Sequence, residues 1–293
     1  MSMTSNHSVR QSGHLKAALI GRDIQLSRSP DMHEAMGRAH QLDYRYDLLD
    51  LSLISHTRDD LAHCLTNLEE QGYIGVNVTH PFKTEVIKHI DDMAEEARQI
   101  GSVNIVRFSE GRRIGHNSDG LGFKSAFQAQ FGEVERESVL LVGAGGAGSA
   151  VAFALVDLGV RTLNIFDSKA ENLISLKTRL RQCHPDLVVR IYSDLDEALC
   201  ENHDGIINAT PVGMSSYPGS VVPSRHWHDR IWASDIVYFP QQTQFLIDAQ
   251  RAGCATMSGV GMAIGQAMRS FEILTGHPAQ YEPCLRVFDN SVS

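Results

Sequence analysis

Lys83 is the side chain with the most evident chemical use. It closes the segment Gly75-Val-Asn-Val-Thr-His-Pro-Phe-Lys83, which gathers Asn77, Thr79 and Lys83 at a predicted strand end and the start of a helix. Strand ends in open α/β sheets are where ligands bind. An ammonium beside a hydroxyl lowers the alcohol's pKa, and partial desolvation brings the ammonium's own pKa toward neutrality. Asp119, in the turn-like segment His116-Asn-Ser-Asp-Gly120, is the carboxylate that would pair with Lys83 and hold it in place. Gly101-Ser-Val-Asn104 adds an amide from a second turn. A lysine after a strand is more often a solvated surface charge, so residue chemistry alone leaves both readings open.

A second site candidate is the run Gly143-Ala-Gly-Gly-Ala-Gly148, in which Gly143, Gly145 and Gly148 satisfy G-x-G-x-x-G. Glycine-rich turns are common, so the context decides. The run follows the apolar strand Ser138-Val-Leu-Leu-Val142 and opens an apolar helix, the setting of a dinucleotide fingerprint. Without side chains the backbone can approach a pyrophosphate, and free N–H groups plus the helix dipole favour its charge. Asp167 ends the next predicted strand, 24 residues after Gly143, where a carboxylate would accept hydrogen bonds from an adenosine ribose. A carboxylate there repels a 2′-phosphate, which favours NAD over NADP. Lys169 lies close enough to offset part of that repulsion.

The elements that must position these groups alternate. Strands are predicted at 16–20, 44–49 and 75–78, with a helix opening at Pro30 and others over 59–70 and 84–98. After a polar connector at 128–137, strands follow at 138–142, 162–166, 188–191, 205–208 and 232–237, with a helix over 150–158. Such alternation is the signature of parallel α/β sheets. The end of the chain reads as one helix, 262–275, and an extended tail with Pro278 and Pro283. It is too short to be a domain and must pack on another. We therefore expect two α/β domains. One comprises 1–119 plus 262–293 and binds substrate; 120–261 forms a doubly wound Rossmann domain.

Composition narrows the function classes. The 293 residues carry a net charge of −9, which disfavours a nucleic-acid binder. No stretch approaches the roughly 20 apolar residues of a membrane span. The 14 histidines are scattered without metal-ligand spacing, so no metal is expected. Five cysteines without a C-x-x-C read as reduced packing residues of a cytoplasmic protein. The polar leader, residues 1–14, reads as a loose tail.

Several ordered segments together resemble the shikimate/quinate dehydrogenase family along nearly the whole chain. Ser27-Arg-Ser-Pro30 is similar to the family's SxSP segment, and 75–83 to its GxNVTxPxK motif. Residues 101–104 resemble GAVN(T), and Asn117-Ser-Asp-Gly-Leu-Gly-Phe123 matches NTDxxGF. Asn208-Ala-Thr-Pro-Val-Gly-Met214 matches NATPxGM, Asp235-Ile-Val-Tyr238 with Pro240 and Thr243 matches DxVYxPxxT, and Gly259-Val-Gly-Met262 with Gln266 resembles the closing segment.

The resemblance implies a catalytic pair at Lys83 and Asp119. It assigns Ser27, Ser29, Thr79, Asn104, Tyr238 and Gln266, with Asp119, to the hydroxyls and carboxylate of a small ring substrate. It assigns Gly143, Ala144, Gly145, Gly146, Ala147 and Asp167 to the cofactor loop and ribose, and Thr210, Val212, Met214 and Gly259 to positions near the nicotinamide. The C-terminal helix would return to the first domain and set Gln266 opposite Lys83. Where many NADP-dependent members carry Asn-Arg-Ser/Thr, this chain has Asp167-Ser-Lys169, which agrees with the NAD argument. Ser102, Ile105 and Ser118 replace the usual Ala, Thr and Thr. The implied function is reversible NAD-dependent oxidation of shikimate, and of quinate, to the 3-dehydro ketone, by a monomer or homodimer. A divergent aminoshikimate-type dehydrogenase and a non-catalytic NAD sensor are the competing expectations.

Overall fold

The computed structural model describes residues 14–54 and 60–289. The leader through residue 13 and the predicted start of the second helix at Asp59 lie outside the described residues.

The first half of the chain forms β1 (Leu15–Gly21), α1 (Ser29–Ala39), β2 (Tyr44–Asp50), a single turn α2 (Leu51–Ile54), α3 (Asp60–Glu70) and β3 (Gly75–Val78). It continues through β4 (Asp92–Met93), α4 (Glu95–Ile100), β5 (Ile105–Ser109), β6 (Arg112–His116) and α5 (Asp119–Phe131). Its sheet has the order β2-β1-β3-β5-β6-β4. The pairs β1–β2 and β1–β3 are parallel, as the alternation predicts. The pairs β3–β5 and β5–β6 are antiparallel, so this sheet is mixed. The predicted helix over 84–98 is absent. A 3₁₀ turn at Glu85–His89, the two-residue β4 and the short α4 take its place. Pairing of β4 with β6 overrides the local helical pattern: Asp91 accepts from the Arg113 backbone N–H at 2.7 Å and Asp92 from that of Met93 at 2.8 Å.

The second half forms β7 (Ser138–Val142), α6 (Gly146–Asp157), β8 (Thr162–Phe166), α7 (Ala170–Cys183), β9 (Val188–Tyr192) and α8 (Leu195–Leu199). Then come β10 (Gly205–Asn208), β11 (Trp232–Asp235), α9 (Gln244–Arg251) and β12 (Ala255–Met257). All five strand pairs are parallel, in the order β12-β11-β10-β7-β8-β9. The chain leaves β7 toward β8 and β9, then returns to build β10 to β12 on the other side. That reversal puts a topological switch point beside β7, where doubly wound sheets open a crevice at their C-terminal strand ends.

Two helices complete the chain, α10 (Val260–Thr275) and α11 (Tyr281–Asp289). The tail predicted as extended is therefore helical after residue 280. Pro283 occupies the first turn of α11, where a missing N–H breaks no intrahelical bond. Ala263, Ile264, Ala267, Phe271 and Leu274 of α10 pack into the core over β1 and β2, while Met262 joins the core of the second sheet. The orphan helix thus returns to the first sheet, as expected. It crosses α5 where Gly122 meets Gly265: a Cβ at Gly122 would stand 2.7 Å from the Met262 carbonyl and 2.8 Å from the Gln266 nitrogen.

Candidate active site

Three backbone segments converge between the sheets. Lys83 follows β3 in a tight turn closed by Phe82 N–H to the Thr79 carbonyl (2.9 Å), and its own carbonyl accepts from Val103 N–H (2.8 Å). It does not open a helix, as the sequence suggested. Asp119 is the first residue of α5 and is 1% exposed. Lys83 Nζ donates to Asp119 Oδ2 at 2.5 Å. Asn104 Nδ2 donates to Asp119 Oδ1 at 2.9 Å, while its Oδ1 accepts from Ser118 N–H at 2.9 Å. Asn117 accepts from Asp119 N–H (3.0 Å) and donates to the Ser102 carbonyl (2.9 Å). The result is a buried carboxylate held on one side by an amide and on the other by an ammonium facing the crevice. Such a pair is rigid, and its lysine is aimed at the crevice.

The glycine loop meets this pair. A Cβ on Gly146 would lie 2.8 Å from Ser102 Oγ and 3.2 Å from Lys83 Cβ. Gly143 adopts φ +105°, and a Cβ on Gly148 would overlap the Gly143 carbonyl, so both positions require glycine. A Cβ on Gly145 would meet nothing within 4 Å. Asp167 Oδ2 accepts from Ala144 N–H at 2.7 Å and Oδ1 from Lys169 N–H at 2.8 Å. It thereby shapes the loop and keeps acceptor capacity for a ribose. Ala147 follows Gly146 in the first turn of α6. A glycine turn, a helix N-terminus and a carboxylate at the end of β8 fit a dinucleotide. His80 connects the two halves electrostatically: burial first, then the charges of Lys169 and Lys83, push its imidazole below the ordinary range.

The remaining expected residues fall around this centre. Ser27 Oγ and Ser29 Oγ stand 3.2 Å apart, and Tyr238 bonds to Ser27. Burial raises the Tyr238 phenol, so it stays a neutral donor. Thr79 follows β3, with its N–H on the Ile20 carbonyl at 2.9 Å. Gln266 lies on α10 against Gly122, one turn beyond Asp119. Thr210 stands beside the glycine loop, its methyl 3.0 Å from a Cβ placed on Gly143, and Met214 is 37% exposed. Val212 N–H donates to Thr210 Oγ1 at 3.2 Å. Gly259 is packed against the Ile236 and Val237 backbone. Ile105 is wholly buried with Leu19, Tyr46 and Ile264, so the hydroxyl it lacks would not reach the crevice.

Asp50 and the partners of Asn77 emerge only in three dimensions. Asp50 accepts from Asp23 N–H (3.0 Å), Ile24 N–H (3.1 Å) and Gln25 Nε2 (3.1 Å), which fixes the loop leading to Ser27. Asn77 Oδ1 accepts from Tyr46 Oη and Ser270 Oγ, each at 2.8 Å, and ties β3 to α10. Among the described residues no group of three His, Cys, Asp or Glu could hold a metal, and no helix is long and apolar enough to cross a membrane.

Comparison with known proteins identifies the family. Residues 19–106 match the family model of the shikimate dehydrogenase substrate binding domain, and 259–287 that of the shikimate 5′-dehydrogenase C-terminal domain. The chain is 37% identical to the shikimate dehydrogenase (NADP(+)) of Streptomyces avermitilis, over 88% of its length and 89% of the relative's. The chain belongs to the shikimate/quinate dehydrogenase family. It is also 37% identical to the quinate/shikimate dehydrogenase (NAD(+)) of Corynebacterium efficiens, over 88% of this chain and 92% of that one. Among solved structures of the family, the quinate dehydrogenase from Corynebacterium glutamicum in complex with NAD superposes with a TM-score of 0.83 at 33% identity, covering 94% of this chain and 99% of that chain. The family's two-sheet architecture is thus that of this protein.

Proposed function

We propose that this protein catalyses the reversible oxidation of a ring hydroxyl of shikimate and quinate to the 3-dehydro ketone, with NAD preferred over NADP. The observation that carries the reading is the buried Lys83–Asp119 pair lying against Gly146 of the glycine loop. When bound, NAD supplies the hydride acceptor.

In this reading the chain's own groups bind, orient and move one proton. Lys83 Nζ, as the amine, takes the hydroxyl proton as the alcohol is oxidised and so becomes the ammonium, which returns that proton to the ketone oxygen in reverse. Asp119 keeps that ammonium fixed and accepts from a neighbouring ring hydroxyl, while Asn104 keeps Asp119 from rotating. Ser27, Ser29 and Tyr238 are a cluster of neutral donors for the ring carboxylate, Thr79 lies beside it at the end of β3, and Gln266 reaches the ring from α10. Gly143 to Ala147 would hold the pyrophosphate. Asp167 would take the adenosine ribose, and Thr210, Val212, Met214 and Gly259 would border the nicotinamide. Residues 1–119 with 262–293 serve as the substrate lobe and 120–261 as the cofactor lobe. Preference for NAD rests on the Asp167 carboxylate and the lack of an arginine in Asp167-Ser-Lys169. Positioning across the crevice supplies much of the rate, because hydride transfer needs near-contact geometry.

The deciding experiment measures initial rates with shikimate and quinate, each against NAD and NADP. Turnover with either acid, faster with NAD, is expected. No reduction of either dinucleotide by either acid would overturn the assigned reaction, and faster turnover with NADP would overturn the role given to Asp167.

A further inference from the structure

Two adjacent glycines of the cofactor loop are bare for different reasons. The G-x-G-x-x-G spacing accounts for Gly143, Gly145 and Gly148 and leaves Gly146 at a position where the pattern asks for no particular residue. Its backbone does not ask for glycine either, because Gly146 opens α6 and is not among the glycines at positive φ. What its bare Cα meets is Lys83 and Ser102, which follow β3 and α4. A Cβ at 146 would stand 2.8 Å from Ser102 Oγ, 3.2 Å from Lys83 Cβ and 3.4 Å from Lys83 Cδ. Gly145 is extended, at φ −70° and ψ −167°, and a Cβ there would meet nothing within 4 Å.

The surface that Gly146 meets has little freedom to yield. The Lys83 backbone is fixed by its carbonyl on Val103 N–H (2.8 Å), and Asp119 holds Nζ at the far end of the side chain. Ser102 is wholly buried, its Oγ has no partner among the described residues, and its carbonyl accepts from Asn117 Nδ2 at 2.9 Å. Gly101, just before it, lies against the Arg179 guanidinium of α7, and Arg179 Nη2 donates to Ser149 Oγ of α6 at 3.1 Å. The 101–102 turn therefore rests on α6 at Gly146 and on α7 at Arg179, and a methyl at 146 has no free space to enter.

We propose that Gly146 is a positioning residue for Lys83: its missing side chain lets the cofactor loop seat directly on the Lys83 stem, and that contact sets the separation between the dinucleotide and the proton-transfer group. The inference rests on the reading of this crevice as a site for a dinucleotide and a ring acid. Gly145 then serves the cofactor, by letting the pyrophosphate approach the backbone, and Gly146 serves the lysine. A methyl at 146 must displace the lysine stem or the loop by a few tenths of an ångström. A misplacement of about 1 Å costs about 10²-fold in rate, so this smaller shift should cost about tenfold. The Gly146 N–H survives in alanine, so the loop keeps its donors.

The test compares Gly145→Ala, Gly146→Ala, Ser102→Ala and the Gly146→Ala/Ser102→Ala double variant of the whole protein. Each is followed by NADH fluorescence titration, by steady-state kinetics with NAD and shikimate or quinate, and by thermal unfolding. Gly145→Ala should raise the NADH Kd about tenfold, the worth of one hydrogen bond to a charged group. Gly146→Ala should keep the NADH Kd within about threefold of wild type and lower kcat about tenfold. Ser102→Ala removes an unpartnered hydroxyl, so its kcat should stay within about twofold of wild type. In the double variant the same change makes room for the methyl and should restore kcat at least about threefold, with part of the lost Tm. Wild-type kcat in Gly146→Ala, an NADH Kd raised there as far as in Gly145→Ala, or losses that simply add in the double variant would overturn the proposal. Should Gly146→Ala not fold, recovery of the fold in the double variant upholds the contact and failure to recover it overturns the proposal. A wild-type protein that binds NADH yet oxidises no ring acid would sink the assigned reaction, and the coupling in Tm between positions 146 and 102 then decides this contact alone.

Discussion

Replacing Lys83 with methionine separates its chemical from its structural contribution. Met keeps most of the volume and removes the ammonium that lies 2.5 Å from Asp119 Oδ2. Asp119 is 1% exposed, so its carboxylate would keep only the Asn104 donor at 2.9 Å. Breaking a buried pair from one side costs about 3–5 kcal/mol. The Lys83 side chain is 15% exposed and lies at the crevice, so water can take part of its place. We therefore expect a loss nearer ~2 kcal/mol, a fall in Tm of about 4–8 °C for a chain of this size. Turnover should fall far more, by about 10²-fold or more in kcat with a modest change in KM, as for removal of a proton-transfer group. Asp119→Asn should lower kcat comparably, since its amide would present N–H to Lys83. The double variant should be little worse than either single one in kcat and more stable than Lys83→Met alone. Thermal unfolding and steady-state kinetics on the four proteins give the cycle. A Lys83→Met enzyme within tenfold of wild-type kcat, or additive losses around the cycle, would refute the paired mechanism.

Asp167→Ala should raise the KM for NAD about tenfold and relax discrimination against NADP, because the change removes both a charge and the Ala144 N–H acceptor; an unchanged cofactor ratio in initial-rate assays counts against its role. Gly148→Ala should abolish NADH binding in a fluorescence titration, since its methyl would overlap the Gly143 carbonyl, and normal affinity would mean the turn is not the cofactor loop. His33 is buried against Tyr46 and held down to about 3, so the unfolded chain takes up its proton first and stability is lost as pH falls below 6.5. The full loss is about 4–5 kcal/mol, and His33→Gln should flatten that limb in urea unfolding between pH 7 and 4. Asp235 has the opposite sense: its raised carboxyl favours folding at low pH, and about 3 kcal/mol of that stability is lost as pH rises from 3.8 to about 6, so Asp235→Asn should not lower Tm at pH 7.5.

The glycine loop and its strand were legible because their signals are local. Four apolar residues, a glycine turn and a small-residue helix lie contiguous in the chain, and the structure places them as β7, the loop and α6. The pairing of Lys83 with Asp119 was legible in residue type, and the fold supplies the approach across a sequence separation of 36. The β5–β6 hairpin escaped notice because its turn is Glu110-Gly111, both at positive φ, in place of the usual Asn-Gly. Asp50 and Asp235 were illegible as anchors for another reason. An aspartate at a strand end reads as solvated until its partners, 26 and 27 residues away for Ile24 and Asn208, are folded around it.

Asp119 and Asp235 show how one fold treats two buried carboxylates. Asp119 is matched with a cation, Lys83, so its charge is compensated. Asp235 is matched only with neutral donors, so its charge persists at neutral pH against a desolvation penalty that an amide would avoid. If stability alone were at stake, an uncharged residue would serve better at the end of β11. The difference makes sense when each is considered with what it holds. Asp119 holds a lysine that must stay in place; Asp235 holds three donors, Asn208 Nδ2, Val237 N–H and Thr243 Oγ1, in fixed directions. A neutral amide in its place would reverse at least one of them.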